Sequence, residues 1–172
     1  MAHKLLSFPQ SIQATQSLMN RIEAEELDEL TIEKEITNIV NTKNGGRGFF
    51  VAYLTSEMSL ADNPSSGVID GLKASMEVVS ELLVKNLAMS SAMVVAHNRN
   101  QDVDNVKNSQ KVTQRTCNLI QKMNLDTINS ELQKLQATIS TGQGDYQDFL
   151  ERWDYDLEQK QAIEQAISDT LG

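Results

Sequence analysis

Residues Met76 to His97 read MEVVSELLVKNLAMSSAMVVAH, the longest densely apolar run in the chain. Val78, Val79, Leu82, Leu83, Leu87, Met89, Met93 and Val94 recur at helical rather than alternating spacing. Together they cover more than half of a helical wheel, wider than the stripe of a one-sided surface helix. The run predicts a central helix with neighbours on several sides, the hub of an all-α core. Glu77, Glu81, Lys85 and Asn86 interrupt it, which argues against a membrane span, since that needs about 20 nearly uncharged residues.

Toward the C-terminus the character changes after His97. Residues 97–118 are rich in Asn, Gln, Lys and Arg. Val103, Val106, Gln110, Thr113, Cys117 and Ile120 follow 3-4 spacing, a dilute stripe that suits a peripheral helix or one paired with another polar helix. Asp126 caps a cleaner helix bearing Ile128, Leu132, Leu135 and Ile139. Ser140 to Gly144 form a connector. A helical hairpin over 145–171 follows, with Phe149, Leu150 and Trp153 on its first arm. Its second arm starts at Asp156 with Gln159 three residues on, and buries Ile163, Ile167 and Leu171.

Toward the N-terminus, Ser7-Phe8-Pro9-Gln10 has the form of a capping box with proline in the first turn. It predicts a helix over 8–25, placed at the periphery as one option. Glu23, Glu25, Glu26, Asp28, Glu29, Glu33 and Glu35 make the next segment acidic. Thr31 is positioned to cap a helix with Ile32, Ile36, Ile39 and Val40 on one face. Asn44-Gly45-Gly46 should end it. Gly48 to Leu54 has high strand propensity, but no second strand offers a partner, so a helix is favoured. Leu60 to Gly67 is a loop, and a short helix runs from Asn63-Pro64 to about Ala74, weakened by Gly71. The prediction is a single all-α domain over 1–172, a bundle of about six to eight helices around 76–97.

At 172 residues the chain can bury a core without metal or disulfide. The net charge of −9 opposes general binding to nucleic acid or anionic lipid, which select positive surface. One cysteine, Cys117, permits no internal disulfide and leans toward a reducing compartment. The first residues, MAHKLLSFPQ, show no signal-peptide pattern, so a cytoplasmic location is expected.

Two stretches, GGRGFFVAYLTSEMSLADNP (45–64) and SELLVKNLAMSSAMVVAHNRN (80–100), resemble segments of a family of uncharacterised helical cyanobacterial proteins. The resemblance spans most of the chain from about Thr31 onward. It implies a cytoplasmic helical protein and no activity, so no functional residue follows from it.

Few constellations point to chemistry. Neither His3 nor His97 has a carboxylate three residues before it, HExxH is absent, and one thiol cannot build a zinc site. Asn100, Asp102 and Asp104 echo a calcium loop without its glycine or closing glutamate. No metal and no cofactor is indicated. Cys117 and His97, 20 residues apart, form no recognisable nucleophile pair. Gly45-Gly46-Arg47-Gly48 could cradle an anion with Arg47 as counter-charge, yet it lacks phosphate-loop spacing.

The more informative feature is charge. Lys107, Lys111 and Arg115 stand at i, i+4 and i+8, a basic stripe in an acidic chain, while Glu25 and Glu29 lie in the acidic segment. The leading expectation is therefore a non-enzymatic interaction or regulatory module. It would dock a protein partner or a second copy of itself through these faces, and neither nucleic acid nor membrane is expected. The alternative is a small-ligand bundle or minor enzyme with a cavity beside the central helix. Met89 and Met93 would line it, with His97 or Arg99 at the mouth and Arg47 as a further ligand-binding candidate.

Overall fold

The computed structural model describes residues 5–172; His3 lies outside them. Among the described residues the chain is all-α. It comprises α1 (Phe8–Glu23), α2 (Glu29–Ile39), α3 (Lys43–Thr55), a 3-10 turn (Ser59–Asp62), α4 (Ser66–Lys73), α5 (Met76–Arg99), α6 (Val103–Met123), α7 (Asp126–Thr141), α8 (Gln147–Trp153) and α9 (Leu157–Leu171). That is nine α-helices among the described residues, one more than the six to eight expected, because every segment with helical spacing forms a separate helix. The chain divides into two compact units, Met1–Leu82 and Leu83–Gly172, with the boundary inside α5.

The hub helix forms as its spacing predicts. Val79, Leu83, Val84, Leu87, Ala88 and Ala92 are all fully buried, and they point in too many directions for a single stripe. By length and composition α5 could cross a membrane, but 56% of its most apolar window is already covered by protein. That is the behaviour of a core helix. Met93 departs from that pattern at 40% exposed, and Met76 at the start of the helix is 44% exposed.

In the first unit α1 packs on α3, and α2 on both α4 and α1. The predicted capping box of α1 is present, with Gln10 N–H donating to Ser7 Oγ and Ser7 N–H to the Gln10 amide oxygen. Far from peripheral, α1 buries Ser11, Thr15, Leu18 and Met19. Asp28 rather than Thr31 caps α2, accepting the Thr31 N–H at 2.8 Å. The cap sits three residues earlier than expected because the carboxylate reaches the third amide of the turn.

Asn44-Gly45-Gly46 does not end α2, which stops at Ile39. These residues instead open α3, capped by Thr42 Oγ1 accepting from Gly45 N–H at 3.1 Å. The glycines serve close approach. A methyl group on Gly48 would come within 1.8 Å of Ser11 Oγ and 2.8 Å of Phe8 O, and one on Gly45 within 1.9 Å of Ile39 O. Across the α1–α3 crossing, Ser11 Oγ donates to Asn44 O at 3.2 Å. The segment of high strand propensity is helical, as favoured. Phe49 stacks on Tyr53 (centroids 5.2 Å apart) and meets Phe50 edge-on, all three buried in the helical core. Gly71 is likewise a contact, lying where any Cβ would meet Ile36 Cβ at 2.8 Å.

In the second unit α9 packs on α6 and α7. Ile128, Leu132 and Leu135 of α7 are fully buried, but the fourth inward position is Thr138, not Ile139. Thr138 Oγ1 accepts the Tyr146 N–H, which ties the connector back onto the helix. Leu125, not Asp126, occupies the cap position of α7. The hairpin over 145–171 forms as α8 and α9, and the Asp156–Gln159 capping box is present. Ile163 and Ile167 are buried, while Leu171 remains 40% exposed.

Gly48→Ala separates two opposed effects. Helix propensity alone favours alanine by about 1 kcal/mol, whereas overpacking against backbone costs about 1–3 kcal/mol. The expected outcome is net destabilisation, read as a lower urea midpoint with unchanged m-value; a raised midpoint would refute the close α1–α3 crossing.

Candidate functional site

The basic stripe is not a continuous surface. Residues four apart on a helix advance about 40° around its axis. The row Lys107, Lys111, Arg115, Leu119, Met123 therefore rotates steadily from solvent into the core. Lys107 is exposed, Lys111 half-buried, Arg115 3% exposed, and Leu119 and Met123 fully buried. Arg115 thus belongs to the inward face of α6 and is unavailable to a docking partner, a correction to its expected role.

The acidic candidates divide as well. Glu25 is exposed at a left-handed backbone position (φ 58°) after α1. Glu29 is structural, since its carboxylate accepts the Gly67 N–H at 2.6 Å, at the start of α4. Ser65 provides no side-chain cap there. Glu35 pairs with Arg21 between α2 and α1.

The ligand candidates do not converge either. Arg47 lies over the Phe8 ring at 5.1 Å, a cation–π contact within the first unit. His97 is half-buried near the end of α5, and its carbonyl accepts the Asp102 N–H. Met93 is exposed. Arg99 bridges two carboxylates of the α9 N-terminus, donating to Asp156 Oδ2 and Glu158 Oε2, each at 2.6 Å. Hydrogen bonding to these carboxylates raises the guanidinium pKa further. Reciprocally, Arg99, aided by the Gln159 amide, holds Asp156 down to about 2.

A cleft does lie beside the central helix, on a different face from the one expected. Its volume is about 600 Å³, and it is walled by Leu87, Ser91 and Val94 of α5, Gln110, Thr113, Gln114 and Cys117 of α6, and Ala162, Gln165, Ala166, Asp169 and Thr170 of α9. Its cause is side-chain size. Ala162 and Ala166, one turn apart on α9, line it together with Ser91 and Thr113, and these short side chains leave the space unfilled.

The floor is apolar, with Leu87 fully buried beneath it. The hydroxyls are already engaged: Ser91 donates to Leu87 O, Thr113 to Ser90 Oγ and Thr170 to Ala166 O. The carboxamides of Gln110 and Gln114 stand exposed at the rim, and Gln165 Nε2 donates to Asp169 Oδ1 at 2.8 Å. No cationic side chain lines the cleft. The arrangement suits a neutral or basic group and disfavours an anion. Among the described residues no cluster of His, Cys, Asp or Glu could hold a metal.

Sequence reasoning placed Gln110, Thr113 and Cys117 on one stripe, and that stripe is the α6 wall. It missed the α9 wall, because α9 was read only for its large apolar positions such as Ile163 and Ile167. The small pair Ala162/Ala166, beside that stripe at one-turn spacing, was the available signal.

Other polar groups hold the second unit together. Burial works to raise Glu131, but the Tyr146 hydroxyl (2.6 Å) and Lys134 hold it below the usual carboxylate range. Burial against Phe149 pushes the Tyr155 phenol up to about 12.

For Asp156 the sign follows directly. A depressed folded pKa means a stabilising contribution present above the ordinary 3.8 and lost as pH falls through about 2. In Arg99→Gln the Asp156 carboxyl resonance should titrate above about 2 yet still below 3.8, because the Gln159 N–H continues to cap it; an unmoved titration would show that Arg99 does not hold it.

No curated protein and no solved structure matches the chain. A family model described as "Uncharacterised conserved protein UCP020893" matches residues 7–170, and the chain belongs to that family.

Proposed function

We propose that this chain is a non-enzymatic binding module working in the cytoplasm, and that the α5–α6–α9 cleft is where it holds its partner. The single observation behind this reading is the cleft itself: about 600 Å³, with an apolar floor and a carboxamide rim. Binding sites of this size are typically apolar with a few placed polar groups. The occupant that fits is a short segment of a partner protein, uncharged or carrying one basic residue. Its apolar side chain would seat over Leu87, Ala162 and Ala166. Gln110 and Gln114 would serve its backbone, because carboxamides both donate and accept. Asp169 would face its basic group, and the net charge of −9 would disfavour acidic competitors. Lys107 and Lys111, one turn from Gln110 and Gln114, flank this face and would contribute register rather than affinity.

The uncharged dye Nile red probes the floor without requiring the partner. The native chain should bind it, and Ala166→Phe, which fills the cleft, should weaken binding by about tenfold or more. Lys107→Glu with Lys111→Glu should change it by less than about twofold. Equal binding by Ala166→Phe would refute the cleft as the site, and a strong effect of the double charge reversal would return the role to the basic face.

A further inference from the structure

The two walls of the cleft are joined at one end by an ionic tether. Arg99, at the last residue of α5, reaches both Asp156 and Glu158 across to the first turn of α9. Val94, a little over one turn before Arg99, and Ala162, one turn after Glu158, are the nearest cleft residues on each wall. Beside the tether Gln159 Nε2 donates to Ala92 O at 3.4 Å, a long bond. The apolar anchoring of this part of the chain is discontinuous. Tyr155 is buried before the helix and Ile163 is the first buried residue within it. Residues 156–162 between them include none that is buried, and Leu157 is 73% exposed. The approach of the α9 first turn to α5 therefore rests on polar contacts, of which the ionic pair is open to solvent and the Gln159 bond is partly buried.

We propose that the Arg99–Asp156/Glu158 bridge is a salt-sensitive clamp that regulates access to the cleft. The clamp rests on the reading of that cleft as the binding site. Closed, it holds the first turn of α9 against the end of α5 and narrows the entrance at Val94 and Ala162. Screening of its charges releases the turn, which moves between the fixed points Tyr155 and Ile163. The side chains involved are about half exposed, 45% for Arg99, 47% for Asp156 and 66% for Glu158. Mobile ions therefore reach them, and the balance is a shallow one suited to regulation rather than to structural support.

Cys117 supplies the readout. It is the sole thiol of the chain and a wall residue of the cleft, so its alkylation rate reports entry. Iodoacetamide is neutral, which removes attraction or repulsion of the reagent as a source of salt dependence. For the native chain the rate should rise about threefold between about 20 mM and about 500 mM salt. Arg99→Gln should react at the fast rate at both salts. Glu158→Gln, which keeps the Asp156 cap and one arm of the bridge, should fall between and still respond to salt.

A native rate indifferent to salt overturns the clamp, and so does an Arg99→Gln chain that keeps the native salt response. Circular dichroism of each variant confirms the helical fold, and the native salt titration stands if either variant misfolds. No ligand is used, so a failure here is separate from a failure of Nile red to bind.

Discussion

Burial of α5 over most of its circumference is the constraint on which the other helices depend. Val79, Leu83, Val84, Leu87, Ala88 and Ala92 lose essentially all contact with water. Each large apolar side chain so removed contributes about 1.5–3 kcal/mol. A helix of this composition left bare would be an adhesive surface, and its neighbours follow from the need to cover it. The same covering explains why a segment apolar enough for a bilayer behaves as the core of a protein.

Side-chain size where helices meet determines the rest. In the first unit small residues bring helices together, with Gly48 of α3 against Ser11 of α1 and Gly45 of α3 against Ile39 of α2, where no added Cβ could fit. In the second unit small residues hold space open, with Ala162 and Ala166 of α9 leaving the cleft against α5 and α6. The difference lies in what the small residue faces. Backbone at van der Waals distance closes the gap, whereas Ser91 and Thr113, short side chains whose hydroxyls are engaged by Leu87 O and Ser90 Oγ, leave it unfilled.

Much of this architecture was legible because hydrophobic periodicity and capping chemistry are local signals. The extent of α5, the capping boxes at Ser7 and Asp156 and the inward stripe of α7 through Leu135 all follow from neighbours in sequence. Resemblance to a helical family was legible too, in the phrasing of 45–64 and 80–100. What misled was non-local. Gly45-Gly46 carries the signature of a terminator, and only the approach of Ile39 and Leu82 shows it to be a packing surface. Lys107, Lys111 and Arg115 form a stripe in projection, yet about 40° of drift per step carries Arg115 into the core. Glu29 had the look of a free acid because Gly67, its partner, lies 38 residues away. The α9 wall of the cleft escaped notice because alanines mark absence of volume, which periodicity does not register.

Native-state hydrogen exchange tests most directly whether α5 is the covered hub. Enclosure predicts that the amides from Val79 to Ala92 are among the slowest in the chain, exchanging only with global unfolding, while those of α8 exchange earlier through local opening. Exchange of α5 amides at rates like those of α8 would mean that the helix is not enclosed, and would contradict its role as the hub.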